Sequence, residues 1–214
     1  VGVVGLGYVG LPLMMEFADA GFAVRGFDVD QNKIDQLNAG ETYIRHLAAE
    51  RIQNLIADNP TADVTADFQQ AQDCDALLIC VPTPLTRHRE PDLKYVEGTA
   101  HQLGPHLRRG QLIALESTTY PGTTEEVLIP ILEAESGLQA GKDFFIAYSP
   151  EREDPNNKSY STRTIPKVVG GLDAQSLEMA QALYGAVIGE TVPVSSCRAA
   201  EATKRMENIF RSIN

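Results

Sequence analysis

The chain has 214 residues, 43% of them hydrophobic and 22% charged, the balance of an ordinary soluble globular protein long enough for one large domain, or one domain and a fragment of another. A formal net charge of -11 argues against a nucleic-acid partner held through a basic face, and no apolar run is long enough to span a bilayer. Cys74, Cys80 and Cys197 are too irregularly spaced for a disulfide framework or a metal knuckle. The histidines show no metal-ligand spacing and no signal-peptide pattern opens the chain, so a reduced, cytoplasmic protein without a metal is expected.

Val1 to Val4 predicts a short strand, Gly5-Leu6-Gly7-Tyr8-Val9-Gly10 a Gly-x-Gly-x-x-Gly turn, and Leu11 to Phe17 the start of a buried helix. In that order Gly5 permits the tight turn, Gly7 lets the backbone approach a pyrophosphate, and Gly10 lets the helix pack closely. The N–H groups and dipole of the helix's first turn then face the anion. Glycine is common here, 17 residues of 214, so the motif alone is weak. Its context strengthens it. The helix closes at Gly21, a second strand runs from Phe22 to Phe27, and Asp28 ends it 18 positions past Gly10. A carboxylate there accepts from the ribose 2′-hydroxyl and repels a 2′-phosphate, which favours NAD over NADP. A flexible loop before an ordinary core helix does not explain Asp28.

Ile34 and Leu37 predict a helix over Gln31 to Ala39, and Lys33 on it is either a solvated lysine or a contact to the adenosine end of a cofactor. A further helix is expected over Ala48 to Asp58, in a connection longer than a minimal crossover. Short elements follow at Asp63 to Thr65 and Phe68 to Gln72. Ala76 to Val81 has no polar face, as in a parallel strand covered on both sides. It runs into Val81-Pro82-Thr83-Pro84, which holds Thr83 at the strand's C-terminal edge, either as a plain turn or where ligands gather in a doubly wound sheet. Leu93 to Leu107 predicts a helix, and Gln111 to Leu115 a buried strand. The hydroxyl-rich Glu116 to Thr124 comes next, with Thr123 or Thr124 as the cap of a helix reaching Glu135. Capping accounts for one or two of those hydroxyls only.

Phe144 to Tyr148 predicts a strand that runs into Ser149-Pro150-Glu151-Arg152-Glu153-Asp154-Pro155, a proline-flanked charged loop that either binds a ligand or is simply solvated. Asn157 to Arg163 is polar and expected to be mobile. A short strand at Lys167 to Val169, a helix from Asp173 or Ser176 to Tyr184, and a strand at Thr191 to Val194 complete the pattern. Arg198 to Asn214 carries Ala199, Ala202, Met206, Ile209, Phe210 and Ile213 at helical spacing, with Lys204 and Asn208 on another face, where a polar pair usually means a solvated stripe. The expected fold is a doubly wound Rossmann-type α/β sheet with helices on both faces.

GLGYVGLPL from Gly5, VPTP from Val81, ESTTYPGTT from Glu116, SPER from Ser149 and EATKRMEN from Glu201 together resemble the nucleotide-sugar 6-dehydrogenases. These oxidise the C6 alcohol of a UDP-hexose to a carboxylate with two NAD. YSPEREDP and TIPKVVGG resemble the bacterial UDP-N-acetylglucosamine branch of surface-polysaccharide synthesis. The resemblance implies that Gly5, Gly7, Tyr8, Val9 and Gly10 hold the pyrophosphate, Asp28 and Lys33 the adenosine end, and Val81, Thr83 and Thr118 the rest of the NAD. It implies Lys204 and Asn208 as oxyanion stabilisers, Thr118 as positioning a catalytic water, Glu151 as general base in thioester hydrolysis, and Glu151, Arg152, Lys204 and Asn208 as contacts to the UDP-sugar.

Two departures stand out. The family's nucleophilic cysteine and its aspartate, beyond this last helix in the family, are absent, and Cys197 does not match that motif; without a thiolate the second oxidation has no covalent route. Some relatives carry a glutamate where this chain has Pro155, and either Glu153 or Asp154 would have to substitute. The chain opens inside a strand without an initiator methionine and closes inside a helical pattern, as expected of a fragment. Residues 1–197 are then an NAD-binding domain and 198–214 the start of a connecting helix, in a longer protein expected to be a homo-oligomer. The fragment is expected to bind NAD(H) without turning over UDP-sugar. Rival expectations are a hydroxy-acid dehydrogenase domain, which also carries a Lys and an Asn four apart, and a non-catalytic NAD-sensing module.

Overall fold

The computed structural model describes residues 1–45, 47–57, 59–87, 90–151 and 165–213, with the backbone alone described at 205 and 207–213. Eight strands form one sheet: β1 (Gly2–Val4), β2 (Val24–Phe27), β3 (Ala62–Thr65), β4 (Ala76–Ile79), β5 (Leu112–Leu115), β6 (Phe145–Tyr148), β7 (Lys167–Gly171) and β8 (Thr191–Val194). Their order is β3-β2-β1-β4-β5-β6-β7-β8. All neighbours run parallel except β6 and β7, which pair antiparallel through Ala147 with Gly171 and Tyr148 with Gly170. That reversal was absent from the expected parallel sheet. Pro193, which has no N–H to give a ladder, sits in β8 at the sheet's edge.

The apolar strands are buried throughout because both faces are covered. Successive side chains alternate between two cores. Val3, Leu78, Leu112, Ala114 and Ala147 pack with α1 (Gly10–Asp19), α2 (Gln31–Asn38), α3 (Ala49–Ile56) and α6 (Ala174–Gly185). Val4, Leu77, Ile79, Ile113, Leu115 and Ile146 pack on the other face with α4 (Lys94–Leu103), α5 (Ile129–Ser136) and the start of α7 (Cys197–Ile213). Each face buries tens of apolar side chains, at roughly 1.5–3 kcal/mol apiece before the entropy of ordering is set against them.

Several helix ends depart from expectation, for local reasons. The stretch expected to be helical to Leu107 leaves the α-helix at Leu103 and ends in a 3₁₀ turn at Gly104–His106, since Pro105 has no N–H for the His101 carbonyl. The stretch before α5 is a π-helical turn at Thr124–Leu128, whose closing N–H at Ile129 reaches back to Thr124, just before Pro130. Neither Thr123 nor Thr124 caps it with its own side chain. Asp173, rather than Ser176, caps α6, accepting from the Ser176 N–H at 2.7 Å. Among the described residues no helix is long and apolar enough to cross a membrane.

Candidate active site

The strand order reverses direction between β1 and β4, and a cavity of about 650 Å³ opens there at the strands' C-terminal ends. Its shape begins with the turn after β1. Gly5 sits at φ +91° and its N–H donates to the Phe27 carbonyl at 2.7 Å. A Cβ on Gly5 would lie 2.9 Å from the Cys80 carbonyl oxygen, and one on Gly10 only 2.0 Å from the Gly5 oxygen. These two glycines lock the turn against itself. Gly7 has nothing within 4 Å of where a Cβ would be, and it lines the cavity. Val9 heads α1 without a side-chain cap, whereas Asp30 and Asp173 cap α2 and α6. The first-turn donors of α1 therefore have no side-chain acceptor at the cap and adjoin the cavity beside Tyr8 and Val9.

Asp28 is buried at the tip of β2, its Oδ2 accepting from the Leu6 N–H at 2.9 Å and its Oδ1 from the Asp30 N–H at 3.0 Å. Lys33 adds an ion pair to Oδ2 at 2.9 Å, and its ammonium lies 5.8 Å from the centroid of the Tyr43 ring. Tyr43 itself donates to the Leu6 carbonyl. Thus the long connection after α2 folds back over the glycine turn.

The other end of the cavity is built by strand ends far apart in sequence. Thr83 donates from Oγ1 to the Thr118 carbonyl at 2.6 Å, and Ser117 from Oγ to the Val81 carbonyl at 2.6 Å. These bonds join the segments that follow β4 and β5, which answers where part of the hydroxyl-rich stretch is used. Thr124 hydrogen-bonds instead to Glu201 of α7. That carboxylate is fully buried and accepts from the Thr124 N–H at 2.9 Å, the Thr124 hydroxyl at 2.7 Å and the Gly122 N–H. Burial raises its pKa, against the pull of those donors. The acceptor at the head of the helix thus comes from α7, which it docks in place. One turn further, Lys204 donates to the Glu151 carbonyl, and Glu151 lines the cavity.

Ten predicted residues therefore line one void: Gly5, Gly7, Tyr8, Val9, Asp28, Lys33, Val81, Thr83, Thr118 and Glu151. Gly10 braces the turn beneath it, and Lys204 meets it through Glu151. Arg152 lies outside the described residues, as do the Asn208 side chain and the segment 152–164. The sequence reading missed Glu116 and Ser117, and on α4 Tyr95, Thr99 and Gln102, which also line the cavity. Gly98, on the same helix face, was the available signal, since a bare position there leaves open space. A second concavity, of about 760 Å³, lies at the opposite strand ends around Val1, Arg25 and Asp63 and contains none of the predicted residues. All three cysteines are buried. Burial pushes the Cys80 thiol well above its ordinary range and that of Cys197 up to about 12, so neither is a ready thiolate.

The sequence model of the UDP-glucose/GDP-mannose dehydrogenase family, NAD binding domain, matches residues 1–188. The chain belongs to this family. It is 39% identical over its whole length to UDP-N-acetyl-D-glucosamine 6-dehydrogenase of Pseudomonas aeruginosa, of which it covers 50%. Among solved structures, an NDP-N-acetyl-D-galactosaminuronic acid dehydrogenase from Methanosarcina mazei superposes with a TM-score of 0.90 at 36% identity, over 98% of this chain and 46% of that one. A UDP-D-ManNAc dehydrogenase from Pyrococcus horikoshii gives 0.91 at 31% identity, over 99% and 50%. The chain thus spans about half the length of the curated relatives it matches. It is an NAD-binding domain of the nucleotide-sugar dehydrogenases, which decides against the hydroxy-acid rival.

Proposed function

We propose that this domain holds NAD along the cavity, with the pyrophosphate over Gly5 to Gly10, the adenine ribose on Asp28 and Lys33, and the nicotinamide end toward Val81, Thr83 and Thr118. In the whole protein it would then serve oxidation of the C6 alcohol of a UDP-hexose, UDP-N-acetylglucosamine in the first instance, to the carboxylate. The observation that carries this reading is that one cavity joins the glycine turn and Asp28 at one end to Thr118 and Glu151 at the other. The residues fit the cofactor: Gly7 leaves backbone bare at the cavity, the cap of α1 has no side-chain acceptor, and a buried carboxylate stands where a ribose diol would bind.

NAD, bound twice in succession, would supply the hydride acceptor for each of the two two-electron oxidations at C6. Around it the chain's own groups do the rest. Lys204, with Asn208 one turn beyond it on α7, offers positive charge and a donor to an oxyanion at C6 in a site of low dielectric. Thr118 would orient a water, and Glu151 would take its proton as that water attacks an acyl thioester carried by a cysteine of the rest of the protein, whose thiolate leaves as the carboxylate forms. Arg152, Lys204 and Asn208 contact the sugar nucleotide. None of the three buried cysteines is suited to capture an aldehyde, so residues 1–214 are expected to bind NAD(H) and not to turn over UDP-sugar. Residues 1–197 act as the cofactor domain and the helix from 198 as the start of a connection to the remainder.

Fluorescence titration with NADH tests the cofactor half. Saturable binding is expected, about tenfold weaker for Asp28→Ala, in line with loss of a hydrogen bond to a charged acceptor. No binding, or an Asp28→Ala variant equal to wild type, would sink it. Assays of the full-length protein with UDP-glucose, UDP-N-acetylglucosamine and UDP-N-acetylmannosamine test the substrate half, and sustained NADH production by residues 1–214 alone would refute the expected inactivity. A full-length protein that binds NADH and oxidises none of these sugars would favour a non-catalytic NAD-sensing module.

A further inference from the structure

Behind the Glu151 end of the cavity lies a buried charged cluster that the proposed chemistry does not use. Glu116, the residue after β5, is almost fully buried, as are Lys167 at the start of β7 and Tyr184 in α6. Lys167 Nζ donates to Glu116 Oε2 at 2.6 Å, and the Tyr184 hydroxyl donates to Oε1. The same ammonium lies 5.0 Å from the centroid of the Tyr184 ring. Glu116 lines the cavity while Lys167 stands behind it. Removing two charges from water costs several kcal/mol per ion, and apolar residues of like volume are often as good or better for stability. Stability alone is therefore a poor account of the pair.

Its reach suggests another account. Lys167 Nζ also lies 3.5 Å from the Pro150 carbonyl oxygen, which adjoins Glu151. Ser149 donates from Oγ to the Val168 carbonyl at 2.7 Å, and Lys204 donates to the Glu151 carbonyl. Three consecutive residues are thus held in turn, two from β7 and one from α7. The geometry points to Lys167 and Glu116, steadied by Tyr184, as positioning residues: the pair fixes the backbone that presents Glu151. This rests on Glu151 being the general base.

The pair can be tested through the bonds it makes. In the full-length protein, assayed with NAD and its UDP-sugar, Lys167→Met removes the donor shared by Glu116 and the Pro150 carbonyl. It should lower kcat by about 100-fold through misplacement of the base, with the NADH Kd unchanged within about twofold. Glu116→Gln leaves Lys167 without its anchoring carboxylate and should lower kcat in the same way, again with the NADH Kd unchanged within about twofold. The double variant Glu116→Met, Lys167→Met replaces a buried ion pair by an apolar one that folds at little cost, and its kcat should stay low.

A wild-type kcat for Lys167→Met or for the double variant, or an NADH Kd that weakens in step with kcat, overturns the proposal. If neither single variant folds, kcat of the double variant decides. Glu151→Gln separates the two layers. An inactive Glu151→Gln beside a wild-type Lys167→Met overturns the positioning role alone, and a wild-type Glu151→Gln overturns the base assignment and the positioning role with it.

Discussion

The two ends of the cavity are built by different means. At the cofactor end, Gly5, Gly7, Gly10 and Asp28 come from the β1-α1-β2 unit and Lys33 from the start of α2, all within the first 33 residues, and main-chain atoms do most of the shaping. At the other end, Thr83, Thr118, Glu151 and Lys204 come from four segments spread over more than a hundred residues. Side chains hold those segments together: Ser117 on Val81, Lys167 on Glu116, Glu201 on Thr124. A backbone-built site tolerates side-chain change and fails on added atoms. A site built by buried side chains fails when one of them is removed.

Gly10→Val should produce the largest effect. Its Cβ would stand 2.0 Å from the Gly5 oxygen, a backbone atom that cannot move without opening the turn. Overpacking of this kind costs about 3 kcal/mol or more, and NADH binding should be lost with it. Thermal unfolding and NADH titration on the same sample check both, and a variant that binds normally would break the account of the turn. Glu201→Ala is the counterpart at the other end. It leaves two buried N–H groups and a hydroxyl without their acceptor, at about 2–3 kcal/mol by denaturant unfolding. NADH affinity should stay within about twofold, because the cofactor end does not rest on α7. A large loss of affinity would show the two ends to be one unit.

This division also governs what was legible from the sequence. The glycine turn and Asp28 could be read because their geometry is local and each residue type has one physical reason to be there. The alternating strands were equally plain, since ALLI, LIAL and FIAY admit burial on both faces. The antiparallel β7 was not, because nothing in Lys167 to Gly171 records which way its neighbour runs. Glu116, Lys167 and Tyr184 meet only once the sheet has brought β5, β7 and α6 together, and no spacing along the chain announces it. Lys204 read as a solvated stripe until the resemblance moved it. Glu201 lay inside a matched segment, yet its capping of the Thr124 turn depends on where α7 docks.

Gly7→Ala sharpens the contrast from within the motif. No atom lies within 4 Å of the added methyl, so stability should change by less than about 0.5 kcal/mol, or rise slightly as the unfolded chain loses freedom. The methyl projects where the pyrophosphate would lie, and NADH affinity should fall about tenfold or more. One glycine motif would then give a folding defect at position 10 and a binding defect at position 7. Equal NADH affinity for Gly7→Ala and wild type would remove the pyrophosphate from this turn.

Lys33→Ala should have the smallest effect. Its ammonium pairs with Asp28 Oδ2 from a side chain that is one-third exposed, at 33%, where salt and solvent screen an ion pair to below about 1 kcal/mol. Asp28 keeps its orientation without it, since the Leu6 and Asp30 N–H groups still hold both carboxylate oxygens. NADH affinity should therefore drop only about two- to fivefold, and the deficit should shrink as salt is raised. A loss as large as that of Asp28→Ala would mean that Lys33, rather than the backbone, aims the carboxylate, and the cofactor end would then depend on side chains as the other end does.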